Sequence, residues 1–220
     1  RAVIVYTNLI KRYAQRKVSG TPAAGPRAQH PRPPIVLGGV EASLRRVAHY
    51  DFWDDAIRRS VLLDAKADYL IYGMAEKTVL AFADALRFGQ SPRHLRGLCY
   101  VDDELRRGYL ELPAYEESVA DDGSGATDAC SDMFQTFYQN NDPRSARGLT
   151  QRYANRYLIH NPPAPYLTQH ELDEVYALPF ERDAHPYYAK QEPIKALETI
   201  RFAVNTHRGC YGECNFCAIG

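Results

Sequence analysis

Short apolar runs alternate with amphipathic segments over about the first hundred residues of the chain. Four of the runs have the β-branched and aromatic composition of buried strands: residues 2–7, 35–39, 69–73 and 97–101. Residues 76–88 instead place apolar side chains at helical spacing, from Val79 to Leu86. Strands that alternate with helices predict an α/β fold with a doubly wound parallel sheet, covered by helices on both faces.

The remaining segments give less regular patterns. Helices are also predicted for residues 9–16, 54–66 and 131–140. Residues 19–34 are rich in Pro and Gly, which predicts a surface loop. Thr168 and Glu171 fit a capping box, so a helix is expected to begin there and to end before Pro179. Residues 201–206 are predicted to form a strand that leads directly into a cysteine-rich tail.

Charge and hydropathy exclude several classes of protein. Lys and Arg together number 27, as do Asp and Glu, so the net charge gives no evidence for binding nucleic acid. No apolar run approaches the ~18 residues of a membrane span, and no secretory signal opens the chain. We therefore expect a cytoplasmic protein without membrane contact. The chain begins at Arg1 and stops three residues after Cys217, so we expect it to be part of a longer protein.

Three cysteines lie within eight residues near the end of the chain: Cys210, Cys214 and Cys217, with the spacing C-x₃-C-x₂-C. Three thiolates this close can each hold one corner of a cubane cluster and leave one iron without a protein ligand. Gly209 and Gly212 give the backbone room to wrap around such a cluster. The tail is therefore expected to be a metal centre, whereas Cys99, in an apolar strand, is expected to be an inert buried thiol.

Zinc is the alternative occupant of this tail. His207 lies three residues before Cys210, so the segment also supplies the ligand types of a Cys₃His site. Zinc ligands usually come as two separated pairs, and four ligands within eleven residues would strain a tetrahedron. The spacing therefore favours an iron–sulfur cluster, and a zinc-stabilised binding module without catalysis is the second hypothesis.

The tail resembles the signature of the radical S-adenosylmethionine (SAM) superfamily, C-x₃-C-x-aromatic-C, with Phe216 at the aromatic position. The resemblance implies that the three cysteines bind three irons of a 4Fe–4S cluster and that Phe216 packs near the adenine of SAM. The fourth iron would chelate SAM, and its reductive cleavage would give methionine and a 5′-deoxyadenosyl radical that abstracts hydrogen from a substrate. An electron donor such as flavodoxin or ferredoxin is implied as well, but no particular substrate is.

Four segments resemble the N-terminal region of one branch of that superfamily, the uncharacterised YgiQ-type proteins: residues 35–55, 67–77, 161–180 and 199–220. This resemblance implies three parts. Residues 1–101 would form a Rossmann-like domain akin to cobalamin-binding domains, and residues 102–198 a mixed, partly helical connector. Residues 199–220 would supply the first strand and cysteine loop of a radical SAM barrel, a partial TIM barrel.

A glycine pair closes the second predicted strand, at the position where doubly wound folds bind ligands. One interpretation is a cobalamin or nucleotide edge formed by Gly38, Gly39, Glu41 and Ser43; the other is a tight turn between strand and helix. A cobalamin-ligating histidine needs a D-x-H-x₂-G motif, which these residues lack, so the sequence gives cobalamin no support. Neither the G-x-G-x-x-G nor the P-loop motif occurs.

Charged residues around this turn form the last candidate site. Glu41, Arg45, Arg46 and His49 are candidates for a polar site near the sheet edge, although a solvated helix face is the more common arrangement. His160 and the prolines after it are expected to form a rigid connector.

Overall fold

A computed structural model of the chain describes residues 2–19, 33–119, 126–190, 192–204 and 208. The chain divides into two compact units after Tyr166. All strands and all buried core residues that the structure describes belong to the first unit. Within the described residues, no helix combines the length and the hydropathy needed to cross a membrane.

Eight strands are found among the described residues of the first unit. They are β1 (Val36–Leu37), β2 (His49–Asp51), β3 (Ala56–Arg58), β4 (Tyr69–Ile71), β5 (Leu98–Asp102), β6 (Leu110–Leu112), β7 (Leu149–Tyr153) and β8 (Arg156–His160). Six of them form the central sheet, in the order β1-β4-β5-β8-β7-β6, and β2 pairs with β3 in a separate antiparallel hairpin.

The part of the chain that the structure describes also holds eight α-helices. They are α1 (Ala2–Ser19), α2 (Gly39–Leu44), α3 (Val61–Ala65), α4 (Glu76–Arg87), α5 (Tyr115–Val119), α6 (Ala126–Gln139), α7 (Gln169–Tyr176) and α8 (Ala196–Ile200). Two 3₁₀ helices lie at Pro92–His94 and Pro186–Lys190. The helices α7 and α8 belong to the second unit.

The central sheet is mixed, which corrects the prediction of a parallel sheet. The outer pairs β1–β4 and β6–β7 are parallel, whereas β4–β5, β5–β8 and β7–β8 are antiparallel. The sequence pattern could not distinguish the two arrangements, because strands covered on both faces read as nearly continuous apolar runs whether they are parallel or antiparallel. The α/β character itself is confirmed.

Two clusters of buried side chains cover the two faces of the sheet. Leu70 and Leu158 belong to the larger cluster, and their neighbours Ile71 and Ile159 belong to the smaller one. Because successive side chains of a strand point to opposite faces, the clusters lie on opposite sides of the sheet. The larger cluster includes residues of α2, α3 and α6, and the smaller one includes Phe82 of α4. Each fully buried leucine contributes about 1.5–3 kcal/mol to folding.

The prediction of a strand at residues 2–7 is wrong, because these residues form the first turns of α1. Val3 and Ile4 pack against the larger core cluster. The Thr7 hydroxyl donates to the Val3 carbonyl oxygen at 2.8 Å, one helical turn earlier. A short β-branched run cannot be distinguished from a packed helical segment by periodicity alone.

Residues 54–66, predicted as one helix, hold β3 and α3 instead. Asp55 has a φ of 45° in the hairpin turn before β3. Ser60 begins α3 as its N-cap, since its Oγ accepts a hydrogen bond from the Leu62 amide at 3.3 Å. The sequence therefore contained a helix N-cap at Ser60, which the spacing of apolar residues alone did not indicate.

Other predicted elements are confirmed. Strands β1, β4 and β5 and helices α4 and α6 lie where they were expected. The capping box at Thr168 and Glu171 is present, and α7 ends at Tyr176, before Pro179. Residues 201–204 do not form the predicted strand, since the Arg201 amide still donates to a helical carbonyl and a turn follows α8. The rest of that predicted strand, residues 205–206, lies outside the described residues.

The sheet continues past residue 101, where the first domain was predicted to end. Residues 102–166 supply β6, β7 and β8, and β8 pairs with β5 near the middle of the sheet. Thr150 and Gln151 of β7 are buried although they are polar, which explains why the strand pattern is weak here. The three-part division as a whole stays a prediction.

Candidate functional site

The predicted metal ligands lie outside the residues that the structure describes. This holds for Cys210, Cys214 and Cys217, for Phe216 and for the alternative zinc ligand His207. Elsewhere, across residues 2–19, 33–119, 126–190 and 192–204, no group of three or more His, Cys, Asp or Glu side chains could hold a metal ion. The cysteine tail therefore stays the one predicted metal site of the sequence.

The glycine pair joins β1 to α2. Gly38 is extended and caps α2, and a Cβ at this position would lie an ordinary 3.8 Å from the Ile71 carbonyl oxygen. Gly39 has a φ of +86°, in the left-handed region that favours glycine, and a Cβ there would contact nothing within 4 Å. Only Gly39 thus needs to be glycine, and the need is a backbone one that a tight turn accounts for.

The two polar residues predicted beside this pair have local partners. The Glu41 carboxylate lies 3.6 Å from the Arg45 guanidinium, on a half-exposed face of α2. The Ser43 carbonyl oxygen accepts a hydrogen bond from Nη1 of Arg46. The structure therefore gives these residues structural roles in α2, and a cofactor at this edge stays a prediction.

Arg46 points in the opposite direction from Arg45 and is buried, with 8% of its surface exposed. Its Nε donates to Nε2 of His160 at 2.9 Å, and its Nη2 donates to Oδ1 of Asn141 at 2.6 Å. The guanidinium lies between two aromatic rings, 4.5 Å from the centroid of Tyr72 and 4.3 Å from that of Phe137. One side chain thus joins the end of α2 to β8, to α6 and to the end of β4.

The charge of Arg46 has no carboxylate partner among the described residues. Its hydrogen-bond acceptors are an imidazole, an amide oxygen and a backbone carbonyl, all neutral. Burial lowers the pKa of Arg46, and the nearby Tyr72 and Cys99 partly oppose that shift. A buried cation is costly unless it is paired, so dipoles and ring faces must supply the stabilisation here.

His160 is a neutral acceptor in this cluster. It is fully buried and stacks on Tyr72 at 4.5 Å between ring centroids. Burial, and secondly the charge of Arg46, holds the pKa of His160 well below its ordinary value. Because Nε2 accepts from Arg46, the ring proton lies on Nδ1, which has no hydrogen-bond partner among the described residues. The residue predicted as part of a connector is therefore a core residue.

The unpaired cysteines of the first unit are protonated. Cys99 lies on β5 and is completely buried, which raises the pKa of its thiol to about 12. Cys130 on α6 is half-buried, and burial raises its pKa as well. Since the thiolate is the reactive and metal-binding form, neither thiol is suited to catalysis or metal binding. The buried position predicted for Cys99 is confirmed, and its inert character stays a prediction.

A cleft of about 1180 Å³ opens between the β2–β3 hairpin and helices α5 and α6. Its floor is apolar and includes Ile57, Met133 and Phe137. The charge of Arg58 on its rim is compensated by Asp54 and Asp51. The other basic group, His49, is neutral because burial lowers its pKa. This cleft can take a small apolar ligand, and its described lining residues include no uncompensated cation that would favour phosphate.

The contacts that Arg46 makes were not predicted from the sequence. Tyr72 lies in the strand predicted at residues 69–73, and Phe137 lies in the helix predicted at residues 131–140. Their elements were thus predicted, whereas their meeting point depends on sheet order and helix placement. Of the polar group predicted at Glu41, Arg45, Arg46 and His49, only Arg46 enters this cluster.

Comparison with known proteins matches residues 1–203 to the family described as radical SAM N-terminal. Among the relatives are UPF0313 proteins of Fusobacterium nucleatum (45% identical over 219 residues), Thermotoga maritima (45% over 222) and Clostridium botulinum (40% over 224). Each alignment covers 100% of this chain but only 32–35% of the relative. The chain therefore spans about a third of the length of these curated relatives. No solved structure matches it.

Proposed function

This chain belongs to the radical SAM N-terminal family, and we propose that it is the N-terminal part of a YgiQ-type iron–sulfur enzyme that uses S-adenosylmethionine. The observation that carries the proposal is the C-x₃-C-x₂-C tail, which begins seven residues after the end of the family match at residue 203. The tail and the match are independent features of one sequence, and both point to the same superfamily.

The donor set fits the implied group. Cys210, Cys214 and Cys217 supply three soft thiolates and leave one iron position open, which is the ligand count that a SAM-binding cluster needs. The other two cysteines are protonated by burial and do not compete. When bound, a 4Fe–4S cluster would supply the electron for reductive cleavage of SAM, delivered by a donor such as flavodoxin or ferredoxin. Phe216 would pack near the adenine.

The described residues contribute a scaffold in this proposal. The sheet unit has its own hydrophobic core and a buried polar cluster. Its two thiols, Cys99 and Cys130, are protonated and therefore unsuited to metal or redox chemistry. The substrate is left open, since this chain covers only 32–35% of the length of these relatives and their names give no substrate. A cytoplasmic location is part of the proposal, because reducing compartments keep such thiolates available.

Anaerobic reconstitution of the full-length protein with iron and sulfide tests the proposal. We expect four irons and four sulfides per chain, and an EPR signal of the reduced cluster that changes when SAM is added. The triple variant Cys210→Ala, Cys214→Ala, Cys217→Ala should lose the iron, and the matched control Cys130→Ala should retain it. Stoichiometric zinc without an iron signal would contradict the proposal and favour the zinc-stabilised binding module.

A further inference from the structure

Three arginine side chains lie around Tyr109 at one end of the central sheet. Arg96 comes just before β5 and Arg147 just before β7, and both strands run antiparallel to β8, so they begin at the same end of the sheet. The Arg106 guanidinium lies 5.0 Å from the ring centroid of Tyr109. Burial raises the pKa of the Tyr109 hydroxyl, and the charges of Arg106 and Arg96 oppose that rise, so both charges lie close to it. We call Arg96, Arg106 and Arg147 the arginine cluster.

Neutral acceptors hold each guanidinium of the arginine cluster in place. Arg96 donates from Nε to the Pro163 carbonyl oxygen at 2.8 Å and from Nη2 to a second backbone carbonyl oxygen at 2.7 Å. Nη1 of Arg106 donates to the Tyr100 hydroxyl at 2.7 Å and to a backbone carbonyl oxygen at 3.1 Å. Nη2 of Arg147 makes one bond, to a backbone carbonyl oxygen at 3.3 Å. Because a guanidinium has five N–H donors, these bonds fix its position and leave further donors for a ligand.

The positive charge of the arginine cluster has no partner of opposite sign within the described parts of the chain. No described Asp or Glu forms an ion pair with any of the three side chains. The neighbouring acids are already paired, Asp102 with Arg93 at 2.8 Å and Asp103 with Arg156 at 3.3 Å. Three fixed cations that share one end of a sheet create a positive potential, which favours an anion there.

We propose that the arginine cluster binds a small phosphate-bearing ligand. The planar fork of a guanidinium matches the oxygens of a phosphate group in a bidentate manner, which the point charge of a lysine does not. A phosphate monoester also carries about −1.5 to −2 charges near pH 7, roughly twice the charge of a carboxylate. Three cations therefore favour a phosphate or diphosphate group over a single carboxylate.

The aromatic side chains of this region favour a small ligand over a single-stranded nucleic acid. Binding of a nucleic acid strand depends on ring faces on which bases can stack. Tyr100 is buried, with 3% of its surface exposed. The ring of Tyr109 is covered by Arg106 and packs against the backbone of Gly148, where a Cβ would lie 2.3 Å from Cε2 of the ring. Neither ring is available for stacking, so the arginine cluster supplies contacts to phosphate oxygens alone.

Titration calorimetry of the full-length protein with pyrophosphate, at low ionic strength, tests the proposal. We expect the wild type to bind pyrophosphate and Arg147→Gln to bind it about ten-fold more weakly, because one charged donor is lost. Arg147 suits this test, since its side chain makes a single bond at 3.3 Å and its loss should leave the fold intact. The matched control is Arg156→Gln, whose guanidinium is paired with Asp103; this variant should bind pyrophosphate as tightly as the wild type.

Several results would overturn the proposal. They are the absence of binding at millimolar pyrophosphate, equal affinities of wild type and Arg147→Gln, and equal affinities of the wild type for pyrophosphate and the dicarboxylate succinate. Tighter binding of a short single-stranded RNA than of pyrophosphate would overturn the assignment to a small ligand. If circular dichroism shows that Arg147→Gln is misfolded, Arg147→Lys replaces it; this variant keeps the charge without the fork and should still bind several-fold more weakly. The titration uses protein without bound iron, so its outcome is independent of the proposed function.

Discussion

Replacing Arg46 by Met tests whether the buried guanidinium stabilises the fold. The buried acceptor His160 Nε2 and the half-buried acceptor Asn141 Oδ1 would lose their donor, which costs about 1–3 kcal/mol for a buried group and less for a half-buried one. Removing an unpaired buried charge offsets part of that cost, because the desolvation penalty of the charge disappears. We expect a net loss of about 2–4 kcal/mol in the free energy of unfolding.

Urea unfolding followed by far-UV circular dichroism measures this loss, and thermal unfolding should show a Tm lower by roughly 6–12 °C. Arg45→Met is the matched control, because its neighbouring guanidinium forms only a partly exposed ion pair with Glu41 at 3.6 Å. That variant should lose about 0–1 kcal/mol. If Arg46→Met is as stable as the wild type, the desolvation cost of the guanidinium equals the free energy that its hydrogen bonds contribute, and the reasoning is refuted.

Three further outcomes are expected. Burial holds the pKa of His160 well below 6.5, so below that pH the unfolded chain takes up a proton that the folded chain does not. The free energy of unfolding should therefore fall by up to about 1.4 kcal/mol per pH unit as the pH decreases. The variant His160→Gln should weaken this pH dependence in urea titrations between pH 5 and 7. Gly39→Ala should cost about 1 kcal/mol in the same unfolding assay because of its φ of +86°, whereas Gly38→Ala should cost less; equal costs would contradict the backbone argument. Native Cys99 should not react with a thiol reagent at pH 8 while Cys130, half-exposed, reacts slowly, and fast labelling of Cys99 would show that β5 opens readily.

Elements with a complete local signal were predictable from the sequence. The stripe of α4 and the capping box of α7 each depend on residues within one or two helical turns, and both are present. The strand predicted at residues 2–7 failed because its β-branched residues satisfy a strand and a packed helix equally well. The prediction of a parallel sheet was wrong for a related reason, since burial on both faces removes the alternation of apolar and polar residues that marks many antiparallel strands.

The candidate site was less predictable, because its residues meet through sheet order. Arg46 lies 114 residues from His160 and 95 residues from Asn141 along the chain. No local pattern specifies that α2, β8 and the end of α6 approach one another. The cysteine tail is the contrary case, since its spacing alone predicts three ligands.

Arg45 and Arg46 show why charge in a segment does not locate a site. They are adjacent in the sequence and have the same side chain, yet one forms a partly exposed ion pair and the other is buried among neutral dipoles and aromatic rings. The difference follows from position, because Arg45 continues the solvent-facing side of α2 with Glu41, while Arg46 turns toward the sheet, where β8 ends at His160. A buried cation among neutral groups is stable only if each of its donors has a well-placed acceptor. The cluster therefore requires β8, α2 and the end of α6 to lie at fixed positions relative to one another. Arg46 therefore makes the packing of these elements specific, which a hydrophobic residue at the same position would not require.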